Sequence, residues 1–412
     1  MADRSVDYLL IGGGLAAANC ARWLREEGGP DSGSILLVGR EPDPPYNRPP
    51  LSKGFMQGQE SREDALFRPD GWWKEQNIEL LTRTSVLSLD VGERVARLAT
   101  REKVSFDKLL LATGANVRRL KVPGSELDGI HYLRTLANSA AIRQDASDAE
   151  RVVLIGGSYI ATEVAASLTM LGKKCSLVMM EEVTLERFYG QEVGRFFQGV
   201  LEEHGIEVHG SDELEGFKGS DGRVQTVVTK SGKELPADVV VIGAGVAPDV
   251  SLARAAGLEI GDAGGVKCSS TLESVSAPGV WAAGDICEYD SVVHGSHMRI
   301  EHWDVAFNQG KTAALNMLGR QTPHDVVPYF FSDLADWVGY EYVGPGSGET
   351  VVRGSMDDGS FTVFYLGDDG TVKAALAVGR SDDLEHAKRF ITEKTVPDRQ
   401  DLADEGTDLG SL

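Results

Sequence analysis

The feature that most constrains this chain is a glycine-rich segment that occurs twice, each time directly after an apolar run. Tyr8-Leu9-Leu10-Ile11 has the composition of a buried parallel strand, and Gly12-Gly13-Gly14-Leu15-Ala16-Ala17 follows without a gap. In a strand–loop–helix unit, Gly12 permits a tight turn, Gly14 lets a pyrophosphate approach the backbone, and Ala17 keeps the helix close to the strand. The sequence therefore predicts a dinucleotide site at this loop, with the phosphates at a helix N-terminus.

The second strand of such a unit usually ends near an acid that binds the adenosine ribose. Here that strand is Ile35-Leu36-Leu37-Val38, and Glu41 is the nearest acid after it. Arg40 occupies the preceding position. We therefore expect a ribose contact that is displaced to Glu41 or shared with Arg40.

The second glycine-rich segment is less regular. Gly156-Gly157-Ser158-Tyr159-Ile160-Ala161 follows the apolar strand Arg151-Val152-Val153-Leu154-Ile155. Ser158 replaces the second glycine and adds a side chain where a pyrophosphate would approach. We expect a second dinucleotide site here, with binding weakened or shifted.

The ribose acid of this second unit is also displaced. Met179, which accepts hydrogen bonds poorly, directly follows the strand Cys175-Ser176-Leu177-Val178, and Glu181 and Glu182 are the next acids. No arginine cluster follows the strand to receive a 2′-phosphate, so NADH is favoured over NADPH. The basic residues nearby leave NADPH open; they are Lys173, Lys174 and Arg187.

Composition narrows the function classes. The 412 residues, 42% of them hydrophobic, suffice for two or three domains, and a net charge of −22 disfavours nucleic acid as a partner. We find no apolar stretch of membrane-spanning length and no secretion signal before the first strand, so we expect a soluble, cytoplasmic protein without a membrane partner. The four cysteines stand singly, with no C-x-x-C or metal-ligand spacing, which predicts inert thiols and no metal site.

Two further apolar strands end in small residues. Lys108 to Leu111 leads into Ala112-Thr113-Gly114, and Val280-Trp281-Ala282-Ala283 leads into Gly284-Asp285. Asp285 has two interpretations, as a simple helix cap or as a carboxylate that binds a cofactor.

In this order, these segments resemble the FAD-dependent pyridine nucleotide oxidoreductases. The similarity is to the branch of oxygenase-coupled ferredoxin and rubredoxin reductases that also includes apoptosis-inducing factor. It extends over essentially the whole chain, and two more segments carry it: the run from Pro45 to Lys53, and Glu301-His302-Trp303.

The resemblance implies an α/β fold with two doubly wound nucleotide-binding domains, for FAD and NAD, and a C-terminal α/β interface domain. We expect the FAD domain to comprise residues 1–118 and 243–325, the NAD(H) domain residues 119–242, and the C-terminal domain residues 326–412. A short connection through Pro123-Gly124 is expected to lead to Arg151–Ile155 as the opening strand of the NAD(H) domain.

The resemblance also assigns site residues. Lys53 and Glu163 would act as a pair beside the flavin N5, Arg48 and Arg118 would contact FAD, and Asp285 would bind its ribityl chain. Other cofactor contacts are implied for Val86, Gly243, Glu301, His302 and Trp303. Phe331 stands where relatives carry a tryptophan, so it either stacks on the ring system of the flavin or packs in the core. His302 likewise either contacts the cofactor or only fills space.

Three functions stay open. The resemblance favours hydride transfer from NADH to FAD and then single electrons to an iron-sulfur protein of the ferredoxin type, by a monomer or homodimer. An NADH oxidase or diaphorase would give the electrons to oxygen or a quinone. An interaction protein like apoptosis-inducing factor would carry a flavin that NADH reduces only slowly.

Overall fold

The computed structural model describes residues 2–412. The strands are β1 (Arg4–Ile11), β2 (Ile35–Val38), β3 (Ile78–Leu81), β4 (Val86–Asp90), β5 (Val95–Leu98), β6 (Lys103–Leu111), β7 (Ala115–Val117), β8 (Ile130–Tyr132), β9 (Arg151–Ile155), β10 (Lys174–Val178), β11 (Glu207–His209), β12 (Leu214–Ser220), β13 (Arg223–Thr229), β14 (Glu234–Pro236), β15 (Val239–Ile242), β16 (Val246–Pro248), β17 (Val266–Cys268), β18 (Val280–Ala282), β19 (Cys287–Ser291), β20 (Ser296–Met298), β21 (Tyr329–Leu334), β22 (Val338–Val343), β23 (Glu349–Ser355), β24 (Ser360–Leu366) and β25 (Val372–Val378). The α-helices are α1 (Leu15–Gly28), α2 (Gly54–Gln57), α3 (Arg62–Ala65), α4 (Trp72–Glu75), α5 (Leu136–Ser147), α6 (Tyr159–Met170), α7 (Glu186–Glu203), α8 (Ser251–Ala255), α9 (Trp303–Met317), α10 (Asp382–Glu393) and α11 (Arg399–Ala403).

The chain divides into two compact units, each built from separate stretches. The first unit contains the residues up to 47, 63–116 and 247–328, and the second contains 48–62, 117–246 and 329–412. The four-segment domain division made from the sequence stays a prediction.

The first unit is built on a sheet with the strand order β3-β2-β1-β6-β5-β4. Strands β1, β2, β3 and β6 are parallel, and β6 is long enough to pair with β5 near its start and with β18 near its end. Leu9, Leu36 and Leu110 are fully buried, as expected for parallel strands covered on both faces. Helices α1 and α9 cross closely at Gly310, where a side chain would not fit, since a Cβ there would lie 2.4 Å from the Ala16 carbonyl oxygen.

The second unit contains a parallel sheet with the order β11-β10-β9-β15-β8. The residues between Pro123-Gly124 and β9 are not a short connection: β8 joins the sheet beside β15, and α5 follows it. The expectation that β9 opens this α/β unit was therefore wrong. Helix α5 begins at a capping box, in which Thr135 Oγ1 accepts from the Asn138 amide and the Asn138 side chain accepts from the Thr135 amide.

The C-terminal part of the second unit is an antiparallel sheet with the order β21-β22-β25-β24-β23 and the helix α10. Residues 361–365 and 373–378 lie in the strands β24 and β25, and residues 385–391 lie in the helix α10. Two doubly wound, largely parallel sheets and a C-terminal α/β domain are the fold class that the sequence predicted. Within residues 2–412 no helix is both long and apolar enough to cross a membrane.

One buried histidine in the first unit makes stability depend on pH. His324 is 2% exposed, its Nδ1 lies 3.0 Å from Thr312 Oγ1, and burial lowers its pKa to about 4. The folded protein therefore keeps His324 neutral, whereas the unfolded chain takes up a proton near pH 6.5. His324 thus contributes stability that is fully present above pH 6.5 and is lost as the pH falls toward 4.

We expect the free energy of unfolding attributable to His324 to fall by about 2 kcal/mol between pH 7 and pH 4.5, from the linkage of its pKa shift. Urea unfolding of FAD-saturated protein at both pH values, compared with His324→Asn, measures this loss, because the variant lacks the titrating group. Equal pH dependence in the two proteins would show that His324 does not cause the loss.

Candidate functional site

The first glycine loop can hold its shape only with glycine at position 12. Gly12 has φ +130°, and a Cβ there would lie 2.0 Å from the Ala112 carbonyl oxygen. Its amide donates to the Val38 carbonyl at 2.9 Å, and the Ala112 amide donates to the Ile11 carbonyl at 2.8 Å. The loop is thus fixed at the carboxyl ends of β1, β2 and β6, where ligands bind in sheets of this kind.

The second glycine of the loop leaves space for a ligand. Gly14 is the N-cap of α1, and no side chain caps the helix there. A Cβ on Gly14 would meet nothing within 4 Å, and the first turn, which includes Leu15 and Ala16, carries no acid. Ala17 is fully buried against the sheet. An uncapped helix N-terminus beside open space fits the pyrophosphate of a dinucleotide such as FAD.

The two ribose candidates have different partners. Arg40 forms an ion pair with Asp249 at 3.0 Å and donates to Asn116 Oδ1 at 2.5 Å. The Glu41 carboxylate accepts a hydrogen bond from the Tyr46 hydroxyl. The charge of Arg40 is therefore compensated by Asp249, and the ribose role of Glu41 stays a prediction.

Two other predicted segments lie next to the first loop. Thr113 Oγ1 donates to the Asp249 carbonyl at 2.7 Å, and the Asp249 amide donates to the Gly114 carbonyl at 2.8 Å. Gly284 has φ +79°, and a Cβ there would lie 3.4 Å from the Ala16 Cβ. The first unit thus brings Gly12, Ala112–Gly114 and Gly284 together, while Val86 begins the more distant strand β4 in the same sheet.

Asp285 follows this turn and does not begin a helix. The next element among the described residues is the strand β19, so the helix-cap interpretation is wrong, while the ribityl role stays a prediction. The turn is held by residues that the sequence analysis missed. Gln309 accepts from the Gly284 amide at 2.8 Å, and Arg299 Nη1 donates to the Asp285 carbonyl at 3.0 Å and pairs with Glu301 at 2.5 Å.

The Glu301-His302-Trp303 segment forms the start of α9, with His302 as its N-cap in extended conformation. Trp303 Nε1 donates to Asn47 Oδ1 at 3.0 Å, and its ring stacks on Phe307 with centroids 5.3 Å apart. The Trp303 ring is therefore held in one orientation.

In the second unit, Lys53 and Glu163 lie close together. Lys53 Nζ is 3.5 Å from Glu163 Oε1 and 3.0 Å from Asp333 Oδ2. Glu163, on α6, is only 6% exposed, and its two carboxylate oxygens accept hydrogen bonds from Ser52 Oγ at 2.5 Å and Ser332 Oγ at 2.6 Å. Two hydroxyl donors and a cation satisfy the buried carboxylate.

The segment that carries Lys53 is fixed by backbone contacts. Ser139 Oγ donates to the Leu51 carbonyl and Ser167 Oγ to the Ser52 carbonyl, both at 2.6 Å. The sequence analysis did not assign Ser52, Ser332 or Asp333 to the site, although each lies within two residues of Lys53 or Phe331.

The remaining predicted FAD contacts of the second unit have protein partners. Phe331, on β21, has its ring centroid 5.1 Å from Lys53 Nζ. Arg48 donates to the Arg134 carbonyl, and Arg118 Nε donates to the Val246 carbonyl at 2.9 Å. Their roles toward the cofactor stay predictions.

The second glycine loop has backbone angles close to those of the first loop at its first and third positions. Gly156 has φ +118°, and a Cβ there would lie 2.5 Å from the Gly243 carbonyl oxygen. Ser158 has φ −95° and ψ 179°, against −94° and −177° for Gly14. A serine adopts this extended conformation without strain, so Ser158 adds a hydroxymethyl group but leaves the course of the loop unchanged.

The first residues of α6 border this loop. The Tyr159 hydroxyl donates to the Tyr189 hydroxyl at 3.0 Å, and burial raises the pKa of Tyr159. Its ring packs against Phe188 and Phe330, with centroids 4.3 and 4.4 Å apart, whereas Ile160 is partly exposed.

Residues typical of metal sites are not clustered in the described part of the chain. Within residues 2–412, no group of three or more His, Cys, Asp or Glu side chains is placed to hold a metal ion. The four cysteines are free and buried, and burial raises the pKa of Cys175 to about 11. Thiols in this state are poor nucleophiles.

Comparisons with known proteins agree with this geometry. Residues 6–310 match the family described as pyridine nucleotide-disulphide oxidoreductase, and residues 329–412 match the reductase C-terminal family. The ferredoxin–NAD(+) reductase component of the anthranilate 1,2-dioxygenase system of Burkholderia cepacia is 34% identical over 96% of this chain and 97% of its own.

Solved structures show the same likeness. A ferredoxin reductase from Rhodopseudomonas palustris has a TM-score of 0.93 at 32% identity and covers 98% of this chain and 99% of its own. Putidaredoxin reductase in its covalent complex with putidaredoxin has a TM-score of 0.92 at 31% identity and covers 100% of this chain and 98% of that one.

The chain belongs to the pyridine nucleotide-disulphide oxidoreductase family, in the branch of the ferredoxin and rubredoxin reductases. It is thus an NAD(P)H-dependent flavoprotein oxidoreductase with FAD as its cofactor. FAD accepts a hydride and releases electrons singly, and the protein supplies binding, orientation and electrostatics.

Proposed function

We propose that this chain takes electrons from NADH and passes them singly to an iron-sulfur protein of the ferredoxin type. The observation that carries the proposal is that the two glycine loops have closely similar backbone angles at their first and third positions, despite Ser158. Both loops can therefore hold a dinucleotide, one for FAD and one for the electron donor. The name of the Burkholderia cepacia relative, a ferredoxin–NAD(+) reductase, supports the choice of acceptor.

The cysteines support direct transfer of electrons from the flavin to the acceptor, without a disulphide relay. A disulphide relay needs two thiols within bonding distance beside the flavin, whereas all four cysteines here are free and buried. The segment that follows the first glycine loop carries Arg48 and Lys53 where such a relay would need cysteines.

The side chains of this chain then contribute charge and alignment. We assign Lys53 to stabilise negative charge on the reduced ring, as the resemblance implies, and Glu163 to position Lys53. The hydrogen bonds from Ser52 and Ser332 hold the Glu163 carboxylate in place.

The acceptor can be tested directly. Under anaerobic conditions, catalytic amounts of the protein with excess NADH should reduce a [2Fe–2S] ferredoxin over many turnovers, followed by loss of the visible absorbance of the cluster. We expect this rate to exceed the rates with oxygen or a quinone at least about tenfold. The control is the same mixture without the protein.

Each contrary outcome identifies an alternative. Faster turnover with oxygen or a quinone than with every ferredoxin tried would indicate an oxidase or diaphorase. Slow flavin reduction with a long-lived charge-transfer complex would indicate a flavin-bearing interaction protein.

A further inference from the structure

The loop after β10 lies directly beside the second glycine loop. The Leu185 amide donates to the Gly157 carbonyl at 2.8 Å, and a Cβ on Gly157 would lie 2.5 Å from the Met179 sulfur. In a unit of this kind, the residue that recognises the 2′ position of the coenzyme ribose stands at this edge of the sheet. The loop of residues 179–185 is therefore the place where NADH and NADPH would be distinguished.

The usual position of the acid in this loop is taken by a residue that cannot serve. Met179 follows β10 directly and is 2% exposed, so it is packed beneath the glycine loop. The next acid, Glu181, forms an ion pair with Arg187, with Oε1 and Nε 2.6 Å apart. The Glu181 side chain is 18% exposed and that of Arg187 67%, so the guanidinium is the part of the pair open to solvent.

The other basic residues near β10, Lys173 and Lys174, are bound to partners away from the second glycine loop. Lys173 Nζ donates to the carbonyls of Ser147 and Ala149, both at 2.9 Å, and Lys174 pairs with Glu150 at 2.7 Å. Both lysines lie at the start of β10, which is the opposite edge of this parallel sheet from the glycine loop. They are therefore not placed to bind a 2′-phosphate.

The neighbouring acid is held by a separate set of contacts. Glu182 lies 3.3 Å from Arg195 and accepts from Gln191 Nε2 at 3.1 Å. Glu181 and Glu182 thus have different cationic partners, which allows the two carboxylates to be tested independently.

We propose that the Glu181–Arg187 ion pair sets the choice between NADH and NADPH, with Glu181 binding the ribose hydroxyls and holding Arg187 away from a 2′-phosphate. This inference rests on the proposed function, in which a nicotinamide dinucleotide is the donor at this loop. A carboxylate repels a 2′-phosphate, but its pairing with Arg187 reduces that repulsion. Without the carboxylate, the guanidinium is released to bind phosphate, for which its geometry is well suited.

The test uses nucleotides that carry no nicotinamide, so it does not depend on turnover. The affinities of the FAD-loaded protein for adenosine 2′,5′-bisphosphate and for ADP are measured by isothermal titration calorimetry. We expect Glu181→Gln to raise the affinity for adenosine 2′,5′-bisphosphate relative to ADP at least about tenfold, as one charge-assisted contact to phosphate would provide. Adding Arg187→Gln to that variant should abolish the gain.

Glu182→Gln is the matched control, because it removes the same charge one residue away. It should leave the ratio of the two affinities within about twofold of the unchanged protein, and the flavin spectrum and Tm should report intact folding in every variant. An equal gain in Glu182→Gln would overturn the proposal, because the loss of one negative charge anywhere in this loop would then explain the change in affinity. The proposal would also be overturned if Glu181→Gln gave no gain, or if the gain persisted without Arg187. It would fail as well if no variant bound either nucleotide.

The same preparation separates this proposal from the one on which it rests. Anaerobic mixing with NADH tests whether the flavin is reduced, whatever the outcome of the titrations. Flavin reduction with an unchanged affinity ratio would overturn only the role of Glu181 and Arg187. A shifted affinity ratio without flavin reduction would be consistent with the role of Glu181 and Arg187 but would overturn the proposed reductase function.

Discussion

Replacing Lys53 with methionine is expected to slow the reduction of the flavin by NADH at least about 100-fold. Removing one preorganised group that stabilises developing charge typically costs a factor of this size. Lys53 is well placed for that task, because its side chain is 16% exposed and lies 3.5 Å from the buried carboxylate of Glu163. Methionine keeps much of the length and the apolar contacts of the lysine stem but removes the charge.

The flavin midpoint potential gives a second measurement that a merely structural role would not change. Without the Lys53 charge, the reduced ring loses a stabilising interaction, so the potential should fall by about 30 mV for each ~1.4 kcal/mol lost in a two-electron couple. Anaerobic stopped-flow kinetics and a spectroscopic redox titration measure the two effects on the same preparation.

Asp333→Asn is the matched control for this prediction. Asp333 also contacts Lys53, at 3.0 Å, but its side chain is 47% exposed, so solvent screens the interaction. We expect less than about a threefold change in rate, and a potential that is unchanged or slightly higher. A midpoint potential that does not respond to Lys53→Met would contradict the role assigned to Lys53.

Replacing Gly12 with alanine is expected to destabilise the first unit severely. The new Cβ would lie 2.0 Å from the Ala112 carbonyl oxygen, and φ +130° is unfavourable for any residue with a side chain. The backbone of β1 or β6 must move to remove this overlap, at a cost of roughly 3 kcal/mol or more in the free energy of unfolding. We expect mostly insoluble or colourless protein, with a lowered Tm.

Gly14→Ala separates loss of the cofactor from loss of the fold. A Cβ at Gly14 meets no protein atom within 4 Å, and φ −94° is accessible to alanine, so the polypeptide should fold normally. The methyl group would instead occupy the space assigned to the pyrophosphate, and FAD affinity should fall at least about tenfold. Fluorescence titration with FAD and thermal unfolding of both variants without FAD measure the difference. Normal FAD binding by Gly14→Ala would contradict the placement of the pyrophosphate.

The glycine loops were predictable because their constraints are local. Gly12 and Gly156 each follow an apolar strand, and each has positive φ together with a backbone oxygen where a Cβ would stand. Ser158 shows the limit of the same reasoning. A sequence pattern records that a side chain was added, but only the backbone angles show that the loop keeps its course.

Helix α5 was not predicted because its sequence lacks a clear apolar stripe. Its buried positions are occupied by only two large apolar residues, together with a serine and an alanine: Leu136, Ile142, Ser139 and Ala146. Burial of small and polar residues against neighbouring elements leaves little periodicity to detect. The capping box of Thr135 and Asn138 was the local signal, although it uses asparagine where glutamate or glutamine is usual.

The surroundings of Glu163 could not be derived from the sequence for a different reason. Ser52 and Ser332 meet its carboxylate from chain positions far before and far after it. A serine has no pattern that distinguishes a hydrogen-bond donor to a distant acid from an ordinary surface residue. Only the folded backbone brings these hydroxyls together.

The most direct test of the proposed function is anaerobic stopped-flow mixing of the FAD-loaded protein with NADH and, separately, with NADPH, followed at the visible absorbance of the flavin. We expect bleaching by NADH with a rate constant on the order of 1–1000 s⁻¹, typical of enzyme turnover, and slower bleaching by NADPH. Absent or very slow bleaching by both coenzymes would contradict it, because the second glycine loop would then not deliver a nicotinamide to the flavin.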